Sequence, residues 1–271
     1  MIEKPASPIS SRSKTRLNGA FTRTTAGSQS LERGMQILRA YRLGVELLTN
    51  AELADRTDLP RPTVSRLTRS LVEEGFLDYD LSSRSYRLSP IFLGFSYAFQ
   101  HAENTDQAIS STMQSLARNE RVNVGLALPN LLDMVYVESV RESRRGVFRH
   151  APTGTRFPIE LTSGGRAYLS ALNPAPRDGI LQKLAIRHGE KWPPILSEIE
   201  AARKKIKKEG YCVAHWQPGM TAIGTPLKKR NGRIYSLIIS FHTPDTLSAT
   251  IRKHSRILLD LKEDIQKIWH R

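Results

Sequence analysis

Three arginines pose the first chemical question. Arg61, Arg66 and Arg69 stand close together, and no acid occurs from Arg61 to Val72. Guanidinium groups on one helix can receive phosphate oxygens or the O6/N7 edge of guanine. Thr63 and Ser70 beside them are small hydroxyl residues that let a helix approach a groove floor. Arg84, in the turn Leu81-Ser82-Ser83-Arg84, can reach a neighbouring minor groove or its phosphates. A second candidate is Thr162-Ser163-Gly164-Gly165, leading into a helix predicted over Arg166–Leu172. Glycines at a helix start leave N–H groups open to a carboxylate or phosphate. They equally permit a close helix–sheet contact.

Catalytic chemistry is poorly supported. There is no GxSxG, no HExxH, no Walker-type lysine and no GxGxxG after a strand. The seven histidines are scattered. Cys212-x-x-His215, with His242 on a nearby predicted strand, could in principle hold zinc. One such pair without a partner pair fits core or rim packing better. No catalytic residue, metal or cofactor is therefore expected, and a metal-dependent enzyme is the less favoured alternative.

The elements that would position the arginines follow from caps and periodicity. Ser30 can cap a helix from Leu31, with Leu31, Met35 and Leu38 on one apolar face beside Ile37 and Tyr41. Thr49 and Glu52 have capping-box spacing for a second, short helix. Pro62 suits the start of a third helix, in which Val64, Leu67 and Leu71 face the core. Thr63, Arg66, Arg69 and Ser70 then point roughly the other way. Gly75 is a fitting C-cap. Residues 76–80 and 85–88 read as two short strands. Helix, helix, tight turn, helix, hairpin is the order of a winged helix-turn-helix. A third helix without aromatics favours double-stranded DNA over RNA, which is read largely through stacked single-strand bases.

Composition agrees about the partner but not about its place. The 271 residues carry 41 Lys plus Arg against 26 Asp plus Glu, a formal +15, which suits nucleic acid or an anionic membrane. Residues 1–29 hold +4 and residues 151–271 hold +11, while 30–90 and 91–150 each sum to zero. The arm 1–29 has no apolar period and reads as a flexible basic tail, either without a role of its own or touching DNA phosphates. The single cysteine rules out an intrachain disulfide framework and fits a reducing cytosol. Apolar runs as short as Leu237-Ile238-Ile239 span no bilayer, and the N-terminus lacks a signal h-region. A cytoplasmic protein without a membrane partner is expected.

In the second half, residues 91–103 predict a linker helix with Ile91, Phe92, Phe95 and Phe99 available for burial, suited also to dimerisation. A helix over 106–118 follows. Strands are predicted at Val122–Leu128 and Met134–Glu138 around Pro129-Asn130, and residues 146–161 read as an irregular lid. A helix over Ile195–Gly210 ends in Lys204, Lys205, Lys207 and Lys208, which complement its dipole. Strands at 211–213, 221–226 and 234–241 and a helix from Thr246 to Trp269 complete the chain.

The stretches SLERGMQILRAY, LTNAELADRTDLPRPTVSRLTRSLVEEGFLDYD and SYRLSPIFLGF resemble the IclR family of transcriptional regulators. The resemblance continues through VNVGLALPNLLDMVYVESV, RHAPTGTRFPIELTSGGRAYLSAL, EGYCVAHWQPGMTAIGTPL and RIYSLIISF. It implies an α+β protein: a winged helix-turn-helix over 30–90, a linker helix over 91–105, and a GAF-like effector domain over 106–271 with an antiparallel sheet and flanking helices. It implies a homodimer or homotetramer on a pseudo-palindromic operator, and a small-molecule effector. The family commonly has an acid before the PG turn, where this chain has Ala214-His215-Trp216-Gln217, about two residues shorter. Ala222 stands at a polar or cysteine position, and Ile238 replaces one of two serines, while Ser240 remains. These departures predict an apolar or aromatic effector, with an aromatic carboxylate held by N–H groups at Ser163, Gly164 and Gly165. Walls are expected from Phe148, Phe157, Trp216, Met220, Ala222 and Ile238, with Ser240 beside them. The alternative is a DNA-binding regulator with a vestigial pocket.

Overall fold

The computed structural model describes residues 27–103, 107–142, 151–243 and 247–270. The arm up to residue 26 and the expected wall residue Phe148 lie outside the described residues. The chain divides between Ser89 and Pro90 into two compact units. Among the described residues no helix is long and apolar enough to cross a membrane.

In the first unit, α1 (Gln29–Ala40) begins two residues before the expected start, because Ser28 and not Ser30 accepts the N–H of Leu31. β1 (Leu48–Thr49) precedes α2 (Asn50–Thr57), whose capping box forms as the sequence suggests. Thr49 N–H donates to the Glu52 carboxylate at 2.8 Å, and this bond leads in holding that carboxyl below its ordinary pKa. Asp58 turns the chain with φ of 55°, and α3 (Arg61–Glu73) follows, one residue earlier than expected. β2 (Leu77–Asp80) and β3 (Ser85–Leu88) pair antiparallel, and β1 adds a third strand against β3.

The core of this unit joins Ile37, Leu48, Leu53, Val64 and Leu77. It corrects one expectation. Leu31 and Met35 are 59% and 45% exposed, and Gly34, Ile37 and Tyr41 face inward instead. At about 100° per residue, Met35 lies roughly 120° or more round the helix from both Ile37 and Tyr41. One helix face cannot hold all five apolar side chains, and the core takes the pair on the far side.

The second unit opens with α4 (Ile91–Glu103) and α5 (Gln107–Glu120). Then come β4 (Asn123–Asn130), β5 (Asp133–Arg141), β6 (Arg156–Pro158), α6 (Ser163–Ala171), α7 (Pro174–His188) and α8 (Trp192–Glu209). β7 (Cys212–Gln217), β8 (Met220–Lys228), β9 (Ile234–His242) and α9 (Leu247–Trp269) finish it. The six strands form one antiparallel sheet in the order β6-β5-β4-β9-β8-β7.

Helices cover both faces of this sheet, so β9 is a nearly unbroken apolar run. Its Leu237, Ile239 and Phe241 pack with Met113 of α5 and Leu258, Leu261 and Ile265 of α9. Ile238 points the other way, with Leu169, Leu184 and Ile199 of α6, α7 and α8. Three details differ from expectation. Pro129 and Asn130 belong to β4, and the turn falls at Leu131, where φ is 57°. The expected irregular lid contains β6, paired with Asp133–Val135 at the sheet edge. α7 was not anticipated, since only Leu184 in it is buried and apolar periodicity is faint.

His254 of α9 is buried against Phe241, with ring centroids 4.5 Å apart. Burial, then the nearby Lys253, pushes its pKa below the ordinary 6.5, against the opposing pull of Glu120. The folded state thus keeps this imidazole neutral, while the unfolded chain protonates more readily. Its contribution is complete above about pH 6.5 and is lost as pH falls through the folded-state pKa. Urea titrations at pH 7.5 and 5.5 are expected to show a smaller loss of stability for His254→Leu than for the parent chain. Equal losses would show that His254 is not the group responsible.

Candidate functional site

The first site is the outer face of α3. Val64 and Thr68 anchor the helix, Thr68 Oγ1 donating back to the Val64 carbonyl at 2.9 Å. Arg61, Arg66, Arg69 and Ser70 are exposed, and Thr63 is half-buried. Ser70 Oγ rests on the Arg66 carbonyl at 3.5 Å. Among the described residues none of the three arginines is ion-paired, so their charge is available to a phosphate. Pro62 and Ser65 share this exposed face. The same helical wheel would have found them, because Ser65 stands one turn before Arg69.

The hairpin places Arg84 at its tip with φ of 50°, a left-handed conformation unusual for a residue with a side chain. Asp80 Oδ1 holds the turn together by accepting from Ser82 N–H at 2.8 Å and Ser83 N–H at 3.2 Å. These bonds, with the Ser82 hydroxyl first, keep the Asp80 carboxyl below its ordinary pKa. Arg84 is exposed and makes no ion pair within the described residues.

The second site is a cavity between the start of α6 and the sheet. Ile238 and Ser240 of β9 line it, with Met220 and Ala222 of β8, and Ala222 pairs directly with Ser240. Phe157 of β6 and Tyr136 of β5 close one side, their centroids 4.5 Å apart, and Trp216 of β7 lines it too. Ser163 and Gly164 come from the first turn of α6. The expected Phe157, Ser163, Gly164, Trp216, Met220, Ala222, Ile238 and Ser240 therefore surround one space. Tyr136 and Thr162 line it as well and were not named from sequence. Alternation with Met134 along β5 was the signal for Tyr136, while Thr162 is the N-cap of the quoted glycine turn.

Gly165 is placed differently. Its N–H is taken by Thr162 Oγ1 at 3.2 Å, and a Cβ there would stand 1.9 Å from the Ile159 carbonyl oxygen. Gly165 thus serves close packing, while Ser163 and Gly164 carry the first-turn N–H groups that precede any i→i−4 partner. Beneath the helix, Arg166 Nε donates to the Glu160 carbonyl at 2.9 Å and its guanidinium pairs with Glu198. The buried Glu160 carboxylate meets His188 at 2.6 Å. These bonds fix where α6 begins.

The chemistry of the cavity is plain. No lining residue is ionised. The hydroxyls of Ser163 and Ser240 are buried and, among the described residues, without a hydrogen-bond partner. Two unsatisfied hydroxyls and a helix N-terminus in an apolar enclosure suit oxygen atoms on an otherwise apolar molecule. Space for the centre of a water-sized sphere is about 20 Å³, and the whole depression with its open mouth is about 400 Å³. Cys212 has a different task. Its buried thiol donates to the Ser163 carbonyl at 3.3 Å, and burial pushes its pKa up to about 12. His215 is exposed with Nδ1 3.1 Å from Thr221 Oγ1, so the pair that suggested zinc does not converge.

Comparisons with known proteins bear on both sites. Residues 30–81 match the IclR helix-turn-helix domain, and residues 99–267 match the bacterial transcriptional regulator IclR C-terminal domain. The HTH-type transcriptional regulator TsaQ1/TsaQ2 of Comamonas testosteroni is 29% identical over 72% of this chain and 70% of its own length. The crystal structure of an IclR family transcriptional regulator from Brucella abortus superposes with a TM-score of 0.78 at 27% identity, covering 89% of this chain and 92% of that one. An IclR homologue from Microbacterium hydrocarbonoxydans, complexed with 4-hydroxybenzoate, shares the fold with a TM-score of 0.66 at 18% identity, over 88% of this chain and 98% of its own.

Two alanine substitutions test the α6 packing. Gly165→Ala drives a methyl into backbone and is expected to destabilise the second unit by about 3 kcal/mol. Gly179→Ala in α7 places its new methyl more than 4 Å from any described atom outside its own stretch of helix and is expected to be neutral or slightly stabilising. Urea unfolding followed by tryptophan fluorescence distinguishes them. Similar effects at both positions would refute the contact.

Proposed function

Since the chain belongs to the IclR family of transcriptional regulators, we propose that it binds a pseudo-palindromic operator as a dimer or dimer of dimers and responds to an aromatic metabolite. The observation that carries the DNA reading is the acid-free face of α3, with three arginines that are unpaired among the described residues. A dimer offers two such helices to successive major grooves about 34 Å apart. Arg61, Arg66 and Arg69 contact bases or phosphates, Thr63 and Ser70 allow close approach, and Arg84 supplies a wing contact. Such a regulator works where the chromosome is, in the cytoplasm.

α4 supports the dimer. Leu93 and Tyr97 are 75% and 64% exposed, and Ile91 and Phe99 are also open. An apolar helix this exposed within one chain is best covered by a second copy.

For the effector, the carrying observation is the pair of buried, unpartnered hydroxyls of Ser163 and Ser240 in an uncharged apolar cavity. An aromatic molecule would lie among Phe157, Trp216, Met220 and Ile238, with a polar group on those hydroxyls and on the N–H groups of Ser163 and Gly164. A relative of the same fold crystallised with 4-hydroxybenzoate is in keeping with this class. The effector acts by binding one geometry of the dimer better than another.

Arg66→Ala is expected to weaken binding to a selected operator by about 1–3 kcal/mol and to relax its sequence preference in gel shifts. Unchanged specific and non-specific binding would remove α3 from the interface. Calorimetry is expected to show aromatic acids binding and two- or three-carbon acids failing. The reverse pattern would overturn the aromatic reading, and silence from both classes would favour a regulator with a vestigial pocket.

A further inference from the structure

We propose that Arg141 reads the negative charge of the effector, across a slot over Gly125 that the ring of Tyr136 occupies. The inference rests on the cavity being the effector site. It assigns a cation to a pocket whose lining has none.

The sheet register supplies the geometry. Gly125 of β4 stands between Ile238 of β9 and Ser139 of β5. Directly paired residues share a face, so Gly125 and Ser139 lie on the side that Ile238 presents to the cavity. One row along, Asn123 stands between Ser240 and Arg141. The row that starts at the cavity hydroxyl of Ser240 thus ends at Arg141. Gly125 leaves the middle of this surface bare, and Tyr136 lies across it: a Cβ on Gly125 would be 2.3 Å from Tyr136 Cε1.

Arg141 lies against that ring. Its Cζ is 4.5 Å from the Tyr136 centroid, and Nε donates to Ser139 Oγ at 2.8 Å and to the Ala151 carbonyl at 3.0 Å. One terminal nitrogen, Nη2, is buried with no partner among the described residues. Phe157, Tyr136 and the guanidinium therefore follow one another, and Tyr136 partitions cavity from cation. A buried guanidinium nitrogen without an acceptor is unfavourable, and a carboxylate satisfies it with a charge-assisted bond.

Size decides that a wall must move. About 20 Å³ suffices for a water or two, whereas a dry cavity that takes benzene is about 150 Å³. The α6 wall is fixed by backbone contacts: Gly165 against Ile159, and Gly224, whose Cβ would stand 2.6 Å from the Ser163 carbonyl oxygen. The aromatic side chains are the movable walls. Displacing Tyr136 joins the cavity to Arg141 over the flat floor of Gly125. The ligand class that fits is a planar aromatic acid, its ring in the place of Tyr136 and its carboxylate on Arg141 Nη2. The N-terminus of α6, with Ser163 and Ser240, then takes a second polar group at the other end of the ring.

The test is calorimetry on the full chain with 4-hydroxybenzoate and its neutral counterpart 4-hydroxybenzamide. The parent chain is expected to prefer the acid by on the order of tenfold to a hundredfold. Arg141→Met is expected to abolish that preference, read as the ratio of the two affinities whatever the loss common to both. Tyr136→Ala, which keeps the arginine, is expected to bind the acid more tightly because no ring has to be displaced. An Arg141→Met chain that still prefers the acid, or a Tyr136→Ala chain that binds it more weakly, would overturn the proposal and leave the effector site standing. A parent chain that binds neither probe would remove the effector reading itself.

Discussion

The second unit depends on one steric constraint: the first turn of α6 lies in backbone contact with its neighbours. Gly165 meets the Ile159 carbonyl, and Gly224 of β8 meets the carbonyl of Ser163. Neither position has room for a methyl. The Ser236 hydroxyl adds a hydrogen bond to the Gly164 carbonyl at 2.6 Å, and Cys212 adds one to Ser163. With helix and sheet this close, the cavity has a rigid polar end, the helix N-terminus. Its other end is lined by aromatic side chains, which no backbone contact fixes in the same way. Backbone packing and side-chain packing thus form opposite walls of one small space.

Charge is organised on a shorter length scale than the composition suggests. Residues 30–90, which contain α3, sum to zero, yet the outer face of α3 has no acid near its arginines. At physiological ionic strength the field of a side chain decays over about 8 Å. A phosphate meeting α3 responds to Arg61, Arg66 and Arg69 more than to acids elsewhere in the unit. The surplus of the C-terminal half stands beyond its internal pairs, such as Lys205 with Glu209, where Lys205 also lies over Tyr211, 4.7 Å from the ring centroid. Lys204, Lys207 and Lys208 remain exposed.

Much of this was legible in the sequence where one local rule decides the outcome. The capping box of Thr49 and Glu52, the proline opening of α3 and the glycine that stops it are short-range devices, and the structure forms them within a residue or two. The cavity residues were legible through the family resemblance, which aligned strands far apart in the chain. Alternation alone would not have joined Ile238 to Ser163. What failed needed tertiary choice. α1 carries more apolar side chains than one face can hold, and nothing local selects Ile37 and Tyr41 over Leu31 and Met35. α7 has too faint a stripe, and β1 is too short to alternate. Gly165 could be read as a ligand cradle or a packing contact, and only the position of Ile159 separates the two.

The burial of Cys212 has a practical side. It is the sole cysteine of the chain, and its thiol is both enclosed and held protonated. A cysteine introduced at any exposed position would therefore be the one reactive thiol in the molecule. Fluorophores, spin labels or crosslinkers could be attached there without first removing a native sulfur, so a single chosen surface position can be followed in the otherwise unaltered chain.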